Sequence, residues 1–411
     1  MKTLLVLLAL LTCIITSYSQ IKVVGYLPTY RWDKLSELDY SHLSHVCASF
    51  ANPDVEGNMI FEKDLHQFVK VMHQNGTKAV VSFCGGGGYS WGEDYKIYQN
   101  LLATPEARTV FVHKIMIFAR EYKLDGIDND MEGKALELAN YNVFSQELAD
   151  SLHAQGFEYS AALGVNGQWG AGLMTDETLH KLDFVMTMSY GGVGHWNWKE
   201  KPNEATFEKY QGDVNHFIDR GYDATKVIGG LPFYYTEYPT TEQTNYGQFN
   251  GMNCTVYSNS AYNKQNPLHN DTITSISGNT IYINSYETYK KKMDVAIINQ
   301  SGFMIWEIGQ DCITEGPSIM KMMGKYLDSK NTKINISGLE NSISITKTES
   351  ELKISCPFSV KSLSLVNSKG KVIESFKKKK VKIDITSLPK GNYRLLLKLS
   401  EVKSLVKEIE I

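Results

Sequence analysis

Three carboxylates stand at alternate positions in Leu124-Asp125-Gly126-Ile127-Asp128-Asn129-Asp130-Met131-Glu132. Successive side chains of a β-strand leave on opposite faces, so Asp128, Asp130 and Glu132 share one face while Ile127 and Met131 share the other. Same-face neighbours are about 6.6 Å apart along such a strand. Three acids in one enclosed line do not all ionise cheaply; some must share protons, and their pKa values rise. A carboxylic acid that keeps its proton near neutral pH can give it to the leaving oxygen of a glycosidic bond. Glu132, at the C-terminal end of the strand, is the natural donor. The same residues could instead be half of a calcium loop, but that loop needs Glu at its twelfth position, where Ala139 stands. A solvated acidic strand is the plainer alternative, and the flanking Leu124, Ile127 and Met131 argue for burial instead.

Something must hold that strand. Short apolar runs at Val23–Leu27, Ser44–Phe50, Ala79–Phe83, Gly126–Met131, Phe157–Leu163, Phe184–Tyr190, Val227–Pro232 and Phe303–Glu307 are mostly continuous rather than alternating. Continuous apolar strands belong to a sheet buried on both faces, hence a parallel one. Helical patterns lie between them, as at Leu65–Gln74, Ala107–Tyr122, Ala139–Gln155 and Tyr210–Arg220. Eight strands alternating with helices predict a (β/α)8 barrel over residues 20–330, with its active site where strands end and βα loops begin. The rival, an open doubly wound sheet, more often carries a Gly-rich phosphate loop. Trp32, Trp91, Trp169, Trp196, Trp198 and Trp306 all follow or close barrel strands, so the expectation is a ring of flat apolar faces suited to sugars at one end. Filling of loop cores is the competing explanation.

The chain has 411 residues and a net charge of −3, with no basic footprint for nucleic acid. That total averages two unlike parts. Residues 331–411 hold 16 of the 42 Lys and Arg against 8 of the 45 Asp and Glu, and no Trp; the rest holds 26 against 37. Met1-Lys2, the apolar run Leu4–Ile15 and Ser17-Tyr18-Ser19 predict a signal peptide over residues 1–19, too short to span a bilayer. A secreted protein follows, with no transmembrane segment. Without Cys13, five cysteines remain at spacings that match no zinc site, and buried apolar roles are expected for them. No metal or cofactor is indicated. Seven short strands separated by turns such as Asn367-Ser368-Lys369-Gly370 and Pro389-Lys390-Gly391 predict a small β-sandwich over residues 331–411. Lys377–Lys380 reads as a solvated hairpin turn.

Asp125-x-x-Asp128-x-Asp130-x-Glu132 resembles the signature of glycoside hydrolase family 18, which contains chitinases and endo-β-N-acetylglucosaminidases. The resemblance extends over roughly residues 21–328. Val24-Gly25-Tyr26-Leu27-Pro28 and His45–Ala51 are similar to the family's first two strands. Ser82-Phe83-Cys84-Gly85 is similar to its Ser-x-Gly-Gly, with Cys84 in place of the first Gly. Met188-Ser189-Tyr190-Gly191 is similar to Met-x-Tyr-Asp, with Gly in place of Asp. Gly230-Leu231-Pro232-Phe233-Tyr234 and Gly302–Trp306 are similar to the last two strands.

The resemblance implies retaining hydrolysis in which the sugar's own N-acetyl oxygen attacks the anomeric carbon, an exception to the two-carboxylate scheme. Glu132 would then be general acid and base, and Asp130 would hydrogen-bond the acetamido N–H. Asp128 would share a proton with Asp130, and Tyr190 would hold the acetamido oxygen. Trp306 would floor the sugar site, Tyr26 and Met188 would line it, and Tyr234, Trp91 and Ser82 would complete the substrate-binding set. Asp125, of opposite parity, would support the loop. The implied partner is a polysaccharide or oligosaccharide containing N-acetylglucosamine, bound by a monomer. Met131-Glu132-Gly133 departs from the Trp-Glu-Tyr/Phe of many chitinases and Gly191 from the usual Asp, so a substrate in N-glycan cores stands as an alternative to chitin. A non-catalytic lectin stands as a third, against which the presence of Glu132 counts. The stretch from Tyr235 to Tyr286 has room for a small insertion only, which suits an open cleft and endo-acting cleavage. Val366–Val372 and Asp384–Tyr393 resemble the C-terminal sorting domain of type IX secreted proteins, which would deliver the chain to the cell surface; a carbohydrate-binding module is the alternative.

Overall fold

A computed structural model describes residues 21–165, 170–191, 200, 203–238, 249–313, 316–334, 344–355, 362–376, 380–400 and 403–411. The expected leader, Trp169, Trp196, Trp198, Cys356 and Lys377–Lys379 lie outside them.

All eight expected strands form: β1 (Lys22–Pro28), β2 (His45–Pro53), β3 (Lys78–Cys84), β4 (Gly126–Asp130), β5 (Glu158–Leu163), β6 (Phe184–Thr187), β7 (Val227–Pro232) and β8 (Gly302–Trp306). They run parallel in the order β1-β8-β7-β6-β5-β4-β3-β2, and pairing of β1 with β2 closes the barrel. The helices that cover it begin where the chemistry of their first residues dictates. Asp64, Thr104, Thr175, Thr206 and Ser285 each use a side-chain oxygen to accept the amide three residues on, at the starts of helices Leu65–Gln74, Pro105–Glu121, Asp176–Lys181, Phe207–Asp219 and Tyr286–Asn299. Among the described residues no helix is long and apolar enough to cross a membrane.

Two cores follow from strand parity. Outward residues such as Val81, Ile127, Tyr159 and Val185 pack against the helices, while Val24, Tyr26, Cys47, Val80, Ala162, Met186, Ile228 and Met304 fill the barrel. At the foot of the barrel, where the strands begin, His45 and Lys78 both meet the Glu158 carboxylate. That pairing holds Glu158 down at about 2, against the opposing effect of its burial.

Between β7 and β8 lies the small insertion. Strands Phe249–Met252, Tyr234–Tyr238, Thr280–Tyr282 and Thr272–Thr274 pair antiparallel in that order. Cys254 and Cys312 are joined in a disulfide that ties this insertion to the loop after β8. This corrects the expectation of buried apolar roles for these two cysteines; Cys47 and Cys84 do take such roles as free thiols. The join expected near residue 330 falls inside helix Ile319–Ile334, where Lys330 meets Asp294.

Beyond it, seven strands among the described residues form two antiparallel sheets. One orders Ser344–Lys347, Glu351–Ser355 and Lys380–Asp384; the other orders Val372–Phe376, Ser362–Asn367, Asn392–Ser400 and Lys403–Glu410. Leu352, Ile354 and Ile383 of the first share a core with Leu363, Leu365, Leu395 and Leu397 of the second. Asn367 makes the first turn with its side chain, accepting the amides of Lys369 and Lys371. Tyr393 is buried and gives its hydroxyl to the Pro389 carbonyl, so it offers no sugar-stacking face.

Candidate active site

β4 carries the acids as its parity requires. Asn129 points outward and donates to the hydroxyls of Tyr141 and Tyr159, whereas Asp128 points inward with 0% exposure. Three hydroxyls from three strands converge on Asp128. Tyr26 on β1 donates at 2.7 Å, Ser82 on β3 at 2.6 Å and Ser160 on β5 at 2.7 Å. These bonds favour its anion, yet burial outweighs them and its pKa stands above the ordinary carboxyl value.

Asp130, 5% exposed, is shifted much further up, first by burial and then by the neighbouring Glu132 and Asp128. Its Oδ1 is buried without a hydrogen-bond partner. Asp128 thus has three hydroxyl donors for its charge, whereas Asp130 has burial and two neighbouring acids working against its own. β4 ends at Asp130, so Glu132 lies just beyond the sheet. It precedes the short helix Gly133–Leu136 without spending its carboxyl on the helix cap. Burial lifts that carboxyl from 4.5 to about 7. The trio therefore holds an acid of raised pKa at the rim, a second with an unpartnered oxygen, and a third held by three hydroxyls.

Aromatic residues close the site. Trp306, at the end of β8, stacks on Phe50 at 5.9 Å and meets the edge of Tyr26 at 5.5 Å. Phe50, Met188, Tyr190 and Trp306 are the partly buried residues that cap the barrel interior. Tyr190 meets the edge of Tyr234 at 6.1 Å, and its hydroxyl contacts the Met304 sulfur at 3.4 Å. Burial and then the three acids raise its pKa, so it stays a phenol.

The expected site residues therefore gather at one end of the barrel. Ser82 and Tyr26 are both buried and both give their hydroxyls to Asp128, Ser82 from the paired position on the neighbouring strand. Trp32 departs from the expected sugar-facing ring, because it packs against Phe61 and against Phe68 of helix Leu65–Gln74. Asp125 supports the loop as expected, accepting the Ala79 amide and meeting His73.

The departures from the family pattern acquire physical content here. Gly133 has φ +49, and a Cβ on it would lie 2.6 Å from the indole of Trp91. Trp91, 42% exposed, thus occupies the space beside Glu132 that a side chain at position 133 would take. Cys84 has φ +73, a conformation that favours glycine, which accounts for the Gly usual there. A Cβ on Gly191 would meet nothing within 4 Å among the described surroundings.

Sequence reasoning missed Ser160, Phe50 and Ser90. Parity could have placed Ser160 inward; nothing in the local spacing marked Ser90. Its buried hydroxyl donates to the Gly85 carbonyl at 2.6 Å and accepts the Glu132 amide at 3.1 Å.

Known proteins share this fold. The chitinase ChiB of Flavobacterium johnsoniae, from a chitin utilization locus, is 28% identical, with a TM-score of 0.66 over 75% of this chain and 95% of that one. A chitinase of Bacteroides thetaiotaomicron, 22% identical, shares the fold with a TM-score of 0.55 over 71% of this chain and 91% of that one. A chitinase-like effector of Moniliophthora roreri is 30% identical over 226 residues, 49% of this chain and 54% of that protein. The match to that relative spans about half of its length. The family model for glycosyl hydrolases family 18 matches residues 22–311, and with the acid trio, the barrel and these relatives in agreement, the chain belongs to that family.

Proposed function

We propose that this protein is a secreted endo-acting hydrolase of β-1,4 bonds between N-acetylglucosamine residues, in chitin or its oligosaccharides, working with retention and substrate assistance. The observation that carries this reading is the unpartnered Oδ1 of Asp130 between the hydroxyl-bonded Asp128 and a raised-pKa Glu132. A neutral or shared-proton Asp130 with a free oxygen is suited to accept an acetamido N–H and to stabilise the charge that develops on that group. Glu132 protonates the leaving oxygen and then, as a carboxylate, activates water. Tyr190 donates to the acetamido oxygen, and Trp306 stacks under the sugar, with Tyr26, Met188, Tyr234 and Trp91 around it. The chitinase names of several relatives support chitin as the substrate. The small insertion supports an open cleft.

One observation favours a second substrate. The family commonly carries Asp where Gly191 stands, and a Cβ there would meet nothing within 4 Å among the described residues, which keeps an N-glycan core as the second substrate. Wild type and Glu132→Gln are to be incubated with chitooligosaccharides and with a high-mannose glycoprotein, with products analysed by mass. Cleavage of the oligosaccharides by wild type alone supports the proposal. Cleavage of the glycoprotein alone replaces chitin, unchanged hydrolysis by the variant rejects Glu132, and binding without hydrolysis makes the protein a lectin.

Secretion is part of the proposal. The disulfide between Cys254 and Cys312 suits an oxidising compartment. The Trp-poor, basic C-terminal sandwich is proposed as a sorting or anchoring module, separate from the catalytic barrel.

A further inference from the structure

We propose that Ser90 is a positioning residue for Glu132, an inference that rests on the hydrolase reading given above. β4 stops at Asp130, so the strand ladder cannot hold the residue that must deliver the proton. The loop after β3 takes over that task. Gly85 donates its amide to the Asp130 carbonyl at 3.0 Å, and the Ser90 carbonyl accepts the Lys134 amide at 2.9 Å. Between these two ties the Ser90 hydroxyl accepts the Glu132 amide. Residues 130, 132 and 134 are thus held in turn by one loop, in place of a ladder.

The hydroxyl is fully committed. Its single proton goes to the Gly85 carbonyl, and its lone pairs face the Glu132 amide and the Cys84 thiol, whose sulfur lies 3.2 Å away. Ser90 has 0% exposure, so water cannot replace it cheaply. Glu132 makes no side-chain cap to the helix that follows, so its backbone is fixed from outside while its carboxyl stays available. The next residue, Trp91, seats its ring on Gly133. One short segment therefore sets both the direction of the acid and the apolar cover that keeps it protonated.

The test compares Ser90→Ala and Ser90→Thr with wild type, and uses Thr77→Val as a control. Thr77 is an equally buried hydroxyl, bonded to the Leu43 carbonyl near the barrel foot. Thermal midpoint, kcat and KM on a chitooligosaccharide, and the pH profile of kcat/KM are measured for each. The Glu132 carboxyl is also titrated without substrate by infrared difference spectroscopy against Glu132→Gln.

In Ser90→Ala, kcat should fall at least tenfold with KM within about twofold. The titration midpoint and the alkaline limb of the profile should move down from about 7 toward the ordinary 4.5. Ser90→Thr should recover most of both, and Thr77→Val should lower the thermal midpoint alone. Unchanged kcat, an unmoved midpoint, or failure of Ser90→Ala to fold overturns the positioning role. Should wild type hydrolyse no oligosaccharide, the hydrolase reading fails, while the substrate-free titration still decides the role of Ser90.

Discussion

Replacing Glu132 with Gln should make the protein more stable at pH 8 while abolishing hydrolysis. The burial that lifts the Glu132 carboxyl from 4.5 to about 7 makes its charged form unfavourable in the native state. Between those two values the folded chain holds a proton that the unfolded chain has lost, so stability falls as pH rises through the window. A tenfold change in proton affinity corresponds to about 1.4 kcal/mol, so the full rise costs about 3 kcal/mol once Glu132 is ionised. Gln has nearly the same shape and no charge, and its presence also removes a neighbour that pushes Asp130 upward. Urea or thermal unfolding of the two proteins at pH 4.5 and pH 8 reads the difference. The variants should be nearly equal at pH 4.5 and separated by about 3 kcal/mol at pH 8, or about 5 °C in Tm. A separation that does not grow with pH, or a Gln variant less stable at pH 8, refutes the burial argument and with it the assignment of Glu132 as a proton donor held ready at neutral pH.

Wild-type kcat/KM should lose half its value near pH 7 on the alkaline side, read from initial rates on a soluble oligosaccharide. Asp128→Ala orphans the hydroxyls of Tyr26, Ser82 and Ser160; at about 1–3 kcal/mol for each unpaired buried group, urea unfolding should show a net loss of a few kcal/mol, and kcat should fall at least tenfold. Gly133→Ala forces a Cβ into Trp91 at a positive φ, so Trp emission should shift to the red and kcat should fall. Reduction of the disulfide, which closes a loop across a separation of 58 residues, should lower stability by about 4 kcal/mol in the chain-entropy account, read as a drop in Tm with added dithiothreitol.

Much of this was legible because parity and apolar runs are local. The run Val227–Pro232 matches β7 residue for residue, and helix Leu65–Gln74 matches because Asp64 caps it and its apolar face repeats every three to four residues. The inward Asp128 and outward Asn129 follow from the pleat alone. Strand ends were less legible. β6 stops at Thr187 and leaves Met188–Tyr190 beyond the sheet. Met188 still gives its amide to the Leu163 carbonyl, and the apolar run continues because the Met188 and Tyr190 side chains cap the barrel interior. Contacts set by long-range closure left no local mark. Cys254 and Cys312 carry no pairing signal until the insertion folds back. Trp91 and Gly133 look unrelated until the β3 loop lays one on the other.

The foot of the barrel answers acid in the opposite sense to its mouth. Glu158, held near 2 by His45 and Lys78, strengthens the fold above the ordinary carboxyl range and loses its partners' support as pH falls toward 2. The mouth gains as protons arrive at Glu132 and Asp130. Strong acid should therefore open the molecule from the end where the strands begin, and alkali from the end where they finish. Two partly unfolded species with different frayed ends would follow, distinguishable by which amides exchange first.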